Sequence, residues 1–301
     1  MTVPTNTFQA FQAIGNREDL IDVITNISPK DTWFTQNTAN VRATSVEHEW
    51  QTDALAAAAA NAQIEGDDYA ASAVTPTSRV QNSTQILVKV FQISETQQAV
   101  VAAGRSNEAD YQKMKNSAEL AKDIEYALLI NSAEVTGASG TARQLKGVLG
   151  WIATNVTTAT ASTEDLTETR YNDNLQLIWA QGGEPSYTLV GAYQKRKITG
   201  FTSNVKNINA DQNKLINAVA IYESDFGVIQ VRLHQQMNTS AAGTILNLGN
   251  MDLWQKAWLR PVLAMPLAKT GSSDKWKIEA ELTLESRQEK GSGKMTGFKS
   301  A

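Results

Sequence analysis

Catalysis and metal binding need particular side chains, and this sequence is poor in them. It contains no cysteine, which removes thiolate nucleophiles, thiolate metal sites and disulfides together. Its two histidines, His48 and His234, fall in different predicted strands of different regions, so a histidine-based triad or zinc site is not expected. Each reads instead as a partly covered strand residue. The carboxylates Glu65, Asp67 and Asp68 flank Gly66, and clustered oxygen ligands at a glycine turn suit calcium. The full alternating ladder of a calcium loop is missing, so the better reading is a solvated loop or a counterpart for basic groups on a neighbour. Lys195, Arg196 and Lys197 could touch nucleic acid phosphates but read better as the solvated first turn of a helix. The segment GASGTARQ (137–144) lacks the Lys-Ser/Thr ending that holds nucleotide phosphates. The expectation is no catalytic residue, no cofactor and no metal.

The composition points towards contacts rather than chemistry. A chain of 301 residues with 42% hydrophobic content can bury one large or two ordinary domains. Only 19% of residues are charged, below the usual quarter, which suits dense packing against neighbours. A net charge of -4 argues against an electrostatic grip on DNA, which needs a concentrated basic surface. The start MTVPTNTFQAFQ has no basic region followed by an apolar core, and no run of about 18 apolar residues occurs. A soluble, non-secreted chain without a membrane segment is therefore expected. Sequons at Asn26, Asn82, Asn155 and Asn238 are what chance gives in a chain so rich in Asn, Ser and Thr.

The elements that would position these residues form an α+β pattern. Residues 1–40 read as an extended arm, with Pro4 and Pro29 interrupting the scattered Leu20, Ile24 and Ile27. Alternation of Val46, His48 and Trp50 with Glu47, Glu49 and Gln51 predicts a strand from Ala43 to Trp50. A second strand is predicted over Gln85 to Ile93. The long stretch between them carries the alanine run Ala56 to Ala60, the acidic group and Pro76, and such loops are usually functional or disordered. An isolated two-stranded excursion is marginal in water, so it is expected to lean on another molecule. From Ser106 to Ala133, Tyr111, Met114, Ala118, Ala121, Ile124 and Leu128 recur at helical spacing, predicting one long amphipathic helix capped by Ser106 or Asn107. A further helix is predicted through Trp179, stopped by Gly182-Gly183, followed by strands at Tyr187–Val190, Val219–Tyr222 and Gly227–Leu233, then Pro261–Leu267 and Lys275–Glu285. The seven tryptophans read as core or interface anchors. Trp33 and Trp50 are the favoured interface anchors, because neither segment has enough local core to cover them.

Six stretches together resemble one family. They are REDLIDVITNISPKDTWF (17–34), EWQTDALA (49–56), EGDD (65–68), NSTQILVKVFQISETQQAVVAAGRSNEADYQ (82–112), GVLGWIATN (147–155) and LAKTGSSDKWKIEAELTLESRQEKG (267–291). In this order they resemble the tailed-bacteriophage major capsid proteins. The resemblance implies an HK-ninety-seven-like fold: an N-terminal arm (1–40), an extended hairpin loop (41–95), a peripheral domain with a long spine helix (96–144), an axial domain (145–247) and return strands completing the peripheral domain (248–301).

The same resemblance implies a structural subunit that assembles in the bacterial host cytoplasm, with itself, as hexamers and pentamers of an icosahedral or elongated head shell. Partners would include a separate scaffolding protein, a portal and decoration proteins, with packaged DNA touched only non-specifically. Trp33, Trp50, Glu65, Asp67 and Asp68 are the subunit-contact candidates. An encapsulin-like compartment of the same fold is the alternative. A hydrolase with an acidic site and a tail-tube protein are weaker rivals, since no nucleophile-and-base constellation is present.

Overall fold

The computed structural model describes residues 32–66, 68, 73–100, 107–201 and 221–300. The expectations at Leu20, Ile24 and Ile27 lie outside the described residues. In chain order the elements are α1 (Trp33–Asn37), β1 (Ala39–Arg42), β2 (Glu47–Thr52), β3 (Ser78–Ser83), β4 (Gln85–Ser94), α2 (Glu95–Ala99), α3 (Glu108–Ile130), α4 (Val148–Trp151) and β5 (Val156–Thr158). There follow α5 (Glu168–Ala180), β6 (Tyr187–Val190), α6 (Ala192–Thr199), β7 (Ile221–Ser224), β8 (Gly227–Leu233), α7 (Gln235–Thr239), β9 (Ile245–Leu248), β10 (Trp254–Pro266), β11 (Ser273–Ser286) and β12 (Gly293–Thr296).

The long helix forms where the apolar spacing places it. Asn107 is the cap: its side-chain oxygen accepts from Ala109 N at 2.9 Å, and Glu108 and Asp110 favour the positive end of the first turn. Its 23 residues run about 35 Å at 1.5 Å per residue. It stops at Ile130, short of Ala133, because the Asn131 side chain turns to donate to Gln85 Oε1 (2.9 Å) and Leu145 O (3.1 Å). Only the second half of the apolar stripe is buried, through Leu120, Ile124, Ala127 and Leu128. Met114, in the first half, is 69% exposed. The stripe is thus longer than the surface its own chain supplies.

That helix lies on a four-stranded sheet of order β1-β10-β11-β4. Leu87 and Phe91 of β4 and Ile278, Ala280, Leu282 and Leu284 of β11 belong to the same core as Leu120, Ile124 and Leu128. Two strand expectations need correction here. The single strand Ala43–Trp50 is two elements: β1 runs parallel to β10, from Ala39↔Gln255 to Arg42↔Trp258, and the chain then leaves the sheet to enter β2. The strand over 85–93 does not pair with it. β2 pairs with β3, Thr52 opposite Ser78, whereas β4 pairs with β11 from Ser94↔Ser273 to Gln85↔Leu282. The physical reason lies in β4's alternation, which places Leu87 and Phe91 under the helix.

A second sheet has the order β5-β12-β9-β6-β8-β7. Its central strands are covered on both faces. Leu189, Leu246 and Leu248 join the core around α3, while Val190, Ile245 and Met295 pack with Tyr171, Leu175 and Ile198. Such strands read as short apolar runs without alternation. Near the chain's end, β12 enters this sheet between β5 and β9 rather than joining the four-stranded one. Gly293 permits it: a Cβ there would sit 2.7 Å from Asn174 Oδ1 and 3.0 Å from Ile178 Cδ1, so α5 could not come so close over any larger residue.

A buried polar chain fixes how α5 sits on the sheet. Asn174 Nδ2 donates to Thr157 Oγ1 (2.9 Å), Asn247 Nδ2 to Asn174 Oδ1 (2.8 Å) and the Thr188 hydroxyl to Asn247 Oδ1 (2.7 Å). The Thr188 hydroxyl is thereby committed, so the Tyr171 phenol, 2.7 Å away, donates to it. Burial pushes that phenol well above its usual range, which keeps the donor protonated.

Candidate assembly surfaces

Among the described residues no group of three or more His, Cys, Asp or Glu could hold a metal ion. Both histidines are paired with carboxylates instead, His48 with Glu285 and His234 with Glu125. Among the described residues no helix is long and apolar enough to cross a membrane. What the fold does present is protruding surface.

One long exposed stretch lies between β2 and β3 of the hairpin. Every described residue between 53 and 77 is exposed, including Leu55 (99%), Ile64 (75%) and Val74 (93%). Glu65 and Asp68 lie there on the surface. Asp67 is outside the described residues. Three large apolar side chains thus stand in water on one excursion.

The root of that hairpin is tightly built. Asn82, Ser83 and Thr84 are all buried where β3 gives way to β4. The Asn82 side chain donates to Leu284 O (2.7 Å) and Lys146 O (3.0 Å) and accepts from Lys146 N (2.8 Å). Ser83 Oγ donates to Glu134 Oε1 (2.6 Å), and Thr84 Oγ1 donates to Glu281 Oε1 (3.0 Å). Asn155, another sequon position, is likewise committed, donating to Lys290 O and Ser292 O. These joints went unrecognised in the sequence, where the signal was three consecutive small polar residues at the end of β3.

Trp50 reinforces the root. Its ring nitrogen donates to Ser286 O (2.8 Å), its ring centroid lies 5.5 Å from that of Trp151, and Lys146 Nζ stands 4.4 Å over the Trp151 ring. Trp33 packs at 5.0 Å against Tyr187, with the Arg232 guanidinium 5.3 Å over it. Both tryptophans are half-buried, so local cover comes from distant parts of the same chain that periodicity could not foresee. Of the basic triplet, Lys197 pairs with Asp165 (2.8 Å) and Lys195 donates to Val231 O (2.8 Å), while Arg196 is exposed.

Beside Trp50, His48 Nε2 lies 3.1 Å from Glu285 Oε2, and Arg287 Nε lies 3.1 Å from Glu285 Oε1. The His48 hydrogen bond, aided by Arg287, holds the Glu285 carboxyl below the usual glutamate range. A depressed folded value contributes stability that is present above the usual range and lost as pH falls through the folded value. Stability should therefore decline as pH drops from about 5 towards 3, and His48→Leu should flatten part of that decline. Thermal melts of both proteins across this window test it. Superimposable pH profiles would contradict the pairing.

Known proteins resemble this chain along nearly its whole length. The model of the family described as SU10 major capsid protein matches residues 3–299. The chain belongs to that family. The major capsid protein of Escherichia phage Phieco32 is 26% identical over 347 residues, covering 97% of each chain. Among solved structures, the capsid of a native GTA particle matches with a TM-score of 0.68 at 9% identity, covering 95% of this chain and 96% of that one. The holo-SrpI encapsulin complex from Synechococcus elongatus PCC 7942 matches with a TM-score of 0.59 at 10% identity, covering 95% and 94%. At such identities the structural likeness establishes a shared HK-ninety-seven-like fold and does not separate shells from compartments. The family match does, and the encapsulin alternative is not favoured. This major capsid protein is a structural subunit of a tailed-phage head shell.

Proposed function

We propose that the capsid protein forms hexamers and pentamers in which the hairpin tip of one copy lies on the next, with no catalytic step. The observation that carries this reading is the uniform exposure of the described residues between 53 and 77, Leu55, Ile64 and Val74 among them. Apolar surface of that kind is stabilised by removal from water at roughly 25 cal/mol per Å². The acidic group Glu65, Asp67 and Asp68 then meets basic side chains on the neighbour and fixes register more than affinity. The half-exposed ring edges of Trp33 and Trp50 add anchors at the arm and the hairpin root. Repetition of one contact by closed symmetry makes the shell.

The finer partners follow the family resemblance: a separate scaffolding protein, a portal and decoration proteins, with assembly in the bacterial host cytoplasm. Packaged DNA is touched only non-specifically, consistent with a net charge of -4 and with two members of the basic triplet committed inside the chain.

Charge reversal tests the contact. Asp67→Lys with Asp68→Lys should leave the subunit folded, with a cooperative melting curve. It should sharply reduce the yield of shells seen by electron microscopy. Normal shells from the double variant would remove the acidic tip from the interface.

A further inference from the structure

Glu125 is a fully buried carboxylate in the second half of α3, with no exposure of its side chain. Its Oε1 accepts from Phe34 N at 2.8 Å, and its Oε2 accepts from Thr35 N at 2.8 Å and from the Thr35 hydroxyl. These donors are the opening turn of α1. His234, at the junction of β8 and α7, places Nε2 2.9 Å from the same Oε1. Its Nδ1 accepts from Gln236 N (3.3 Å), so Nε2 carries the proton and donates to the carboxylate. From the other side, Lys256 of β10 sends its ammonium to Thr38 O (2.9 Å) and to Thr35 O. One anion thus grips the N–H groups of α1, and one cation grips its carbonyls.

We propose that Glu125 and Lys256 form a two-state clamp on α1, bridged by it when it is docked and closing on each other when it is released. The inference rests on contacts inside one chain and not on the assembly reading above.

The physical argument is about what each charge would face without α1. A buried carboxylate and a buried ammonium are both costly unless paired and hydrogen-bonded. Docked, each is satisfied by backbone groups of residues 34–38. Released, each would lose those groups together. Thr35 joins the two directly, its N–H on Glu125 and its carbonyl on Lys256, and burial pushes the Lys256 ammonium below its usual range while the charge of Glu125 opposes that shift. Their direct pairing makes release a discrete alternative rather than gradual fraying. His234 ties the same carboxylate to the β8–α7 junction, so a movement there is felt at α1. Phe34, fully buried with its ring centroid 6.4 Å from Trp254, supplies the apolar part of the docked state.

Hydrogen–deuterium exchange of the purified full-length chain tests the clamp. In Glu125→Gln one oxygen remains to serve donors that now use two, and amides of residues 34–42 should exchange about ten- to a hundredfold faster. Amides of β6 and β9, in the core of the other sheet, should stay at parent rates. Lys256→Met should give the same local pattern, and serves alone should Glu125→Gln not fold. The double variant should cost less protection than the two single changes combined, because neither charge is left without its counterpart. Unchanged exchange at 34–42 in the single variants would overturn the clamp. So would a uniform rise that includes β6 and β9, or strict additivity in the double variant.

Discussion

A capsid protein in which residues 53–77 are replaced by Asn-Gly folds normally and remains monomeric. Thr52 pairs with Ser78 across the hairpin, and a two-residue turn of this type closes such a pair with the right twist. The described residues removed are all exposed, so they take no buried apolar side chain with them. Shortening the loop lowers the entropic cost of closing it by about 2 kcal/mol, which leaves the melting temperature equal or higher. Assembly should nevertheless stop, because the removed segment carries Leu55, Ile64, Val74 and the acidic group. Circular dichroism melts and sedimentation measure the two properties separately. Shells from the shortened chain, or a chain that fails to fold, would contradict the division of labour between tip and body.

The second large effect is at the hairpin root. Asn82→Ala strips Leu284 O and Lys146 N of their Asn82 partner, while Lys146 O keeps Trp151 Nε1 as a donor (3.0 Å). Stranding a buried polar group costs about 1–3 kcal/mol, so the two together cost about 2–6 kcal/mol, a large share of the 5–15 kcal/mol of an ordinary domain. Denaturant unfolding should show that loss at an unchanged slope. A loss below about 1 kcal/mol would mean that the root holds by backbone pairing alone. Asn82→Asp should not rescue it, since a carboxylate accepts from Lys146 N but repels the two carbonyls.

The two substitutions separate what was legible in the sequence from what was not. The long helix was legible because Ile124 and Leu128 repeat at helical spacing and Asn107 offers a cap, signals that are local. The strands Tyr187–Val190 and Gly227–Leu233 were legible for the same reason. The partner of β4 was not, because pairing with β11 joins residues nearly two hundred positions apart and no periodicity reports that. β5, β9 and β12 escaped notice because each is only three or four residues long and β9 is covered on both faces, leaving no alternation to read. The exposed hairpin tip was anticipated from its length, alanine run and acidic group. The buried joints were not: Asn82 and Glu125 are polar residues that look like surface until the fold encloses them, and His234, read as a partly covered strand residue, is buried at the start of α7. Buried polar groups of this kind are satisfied by long-range partners, and those exist only once the chain has closed.

The most direct test is electron microscopy, coupled to sedimentation, of the purified full-length chain over a rising concentration series. The account predicts conversion of monomer into closed hollow particles, with protease cleavage between residues 53 and 77 suppressed as particles form. A single monomeric species at every concentration, cut equally readily in that segment throughout, would contradict it.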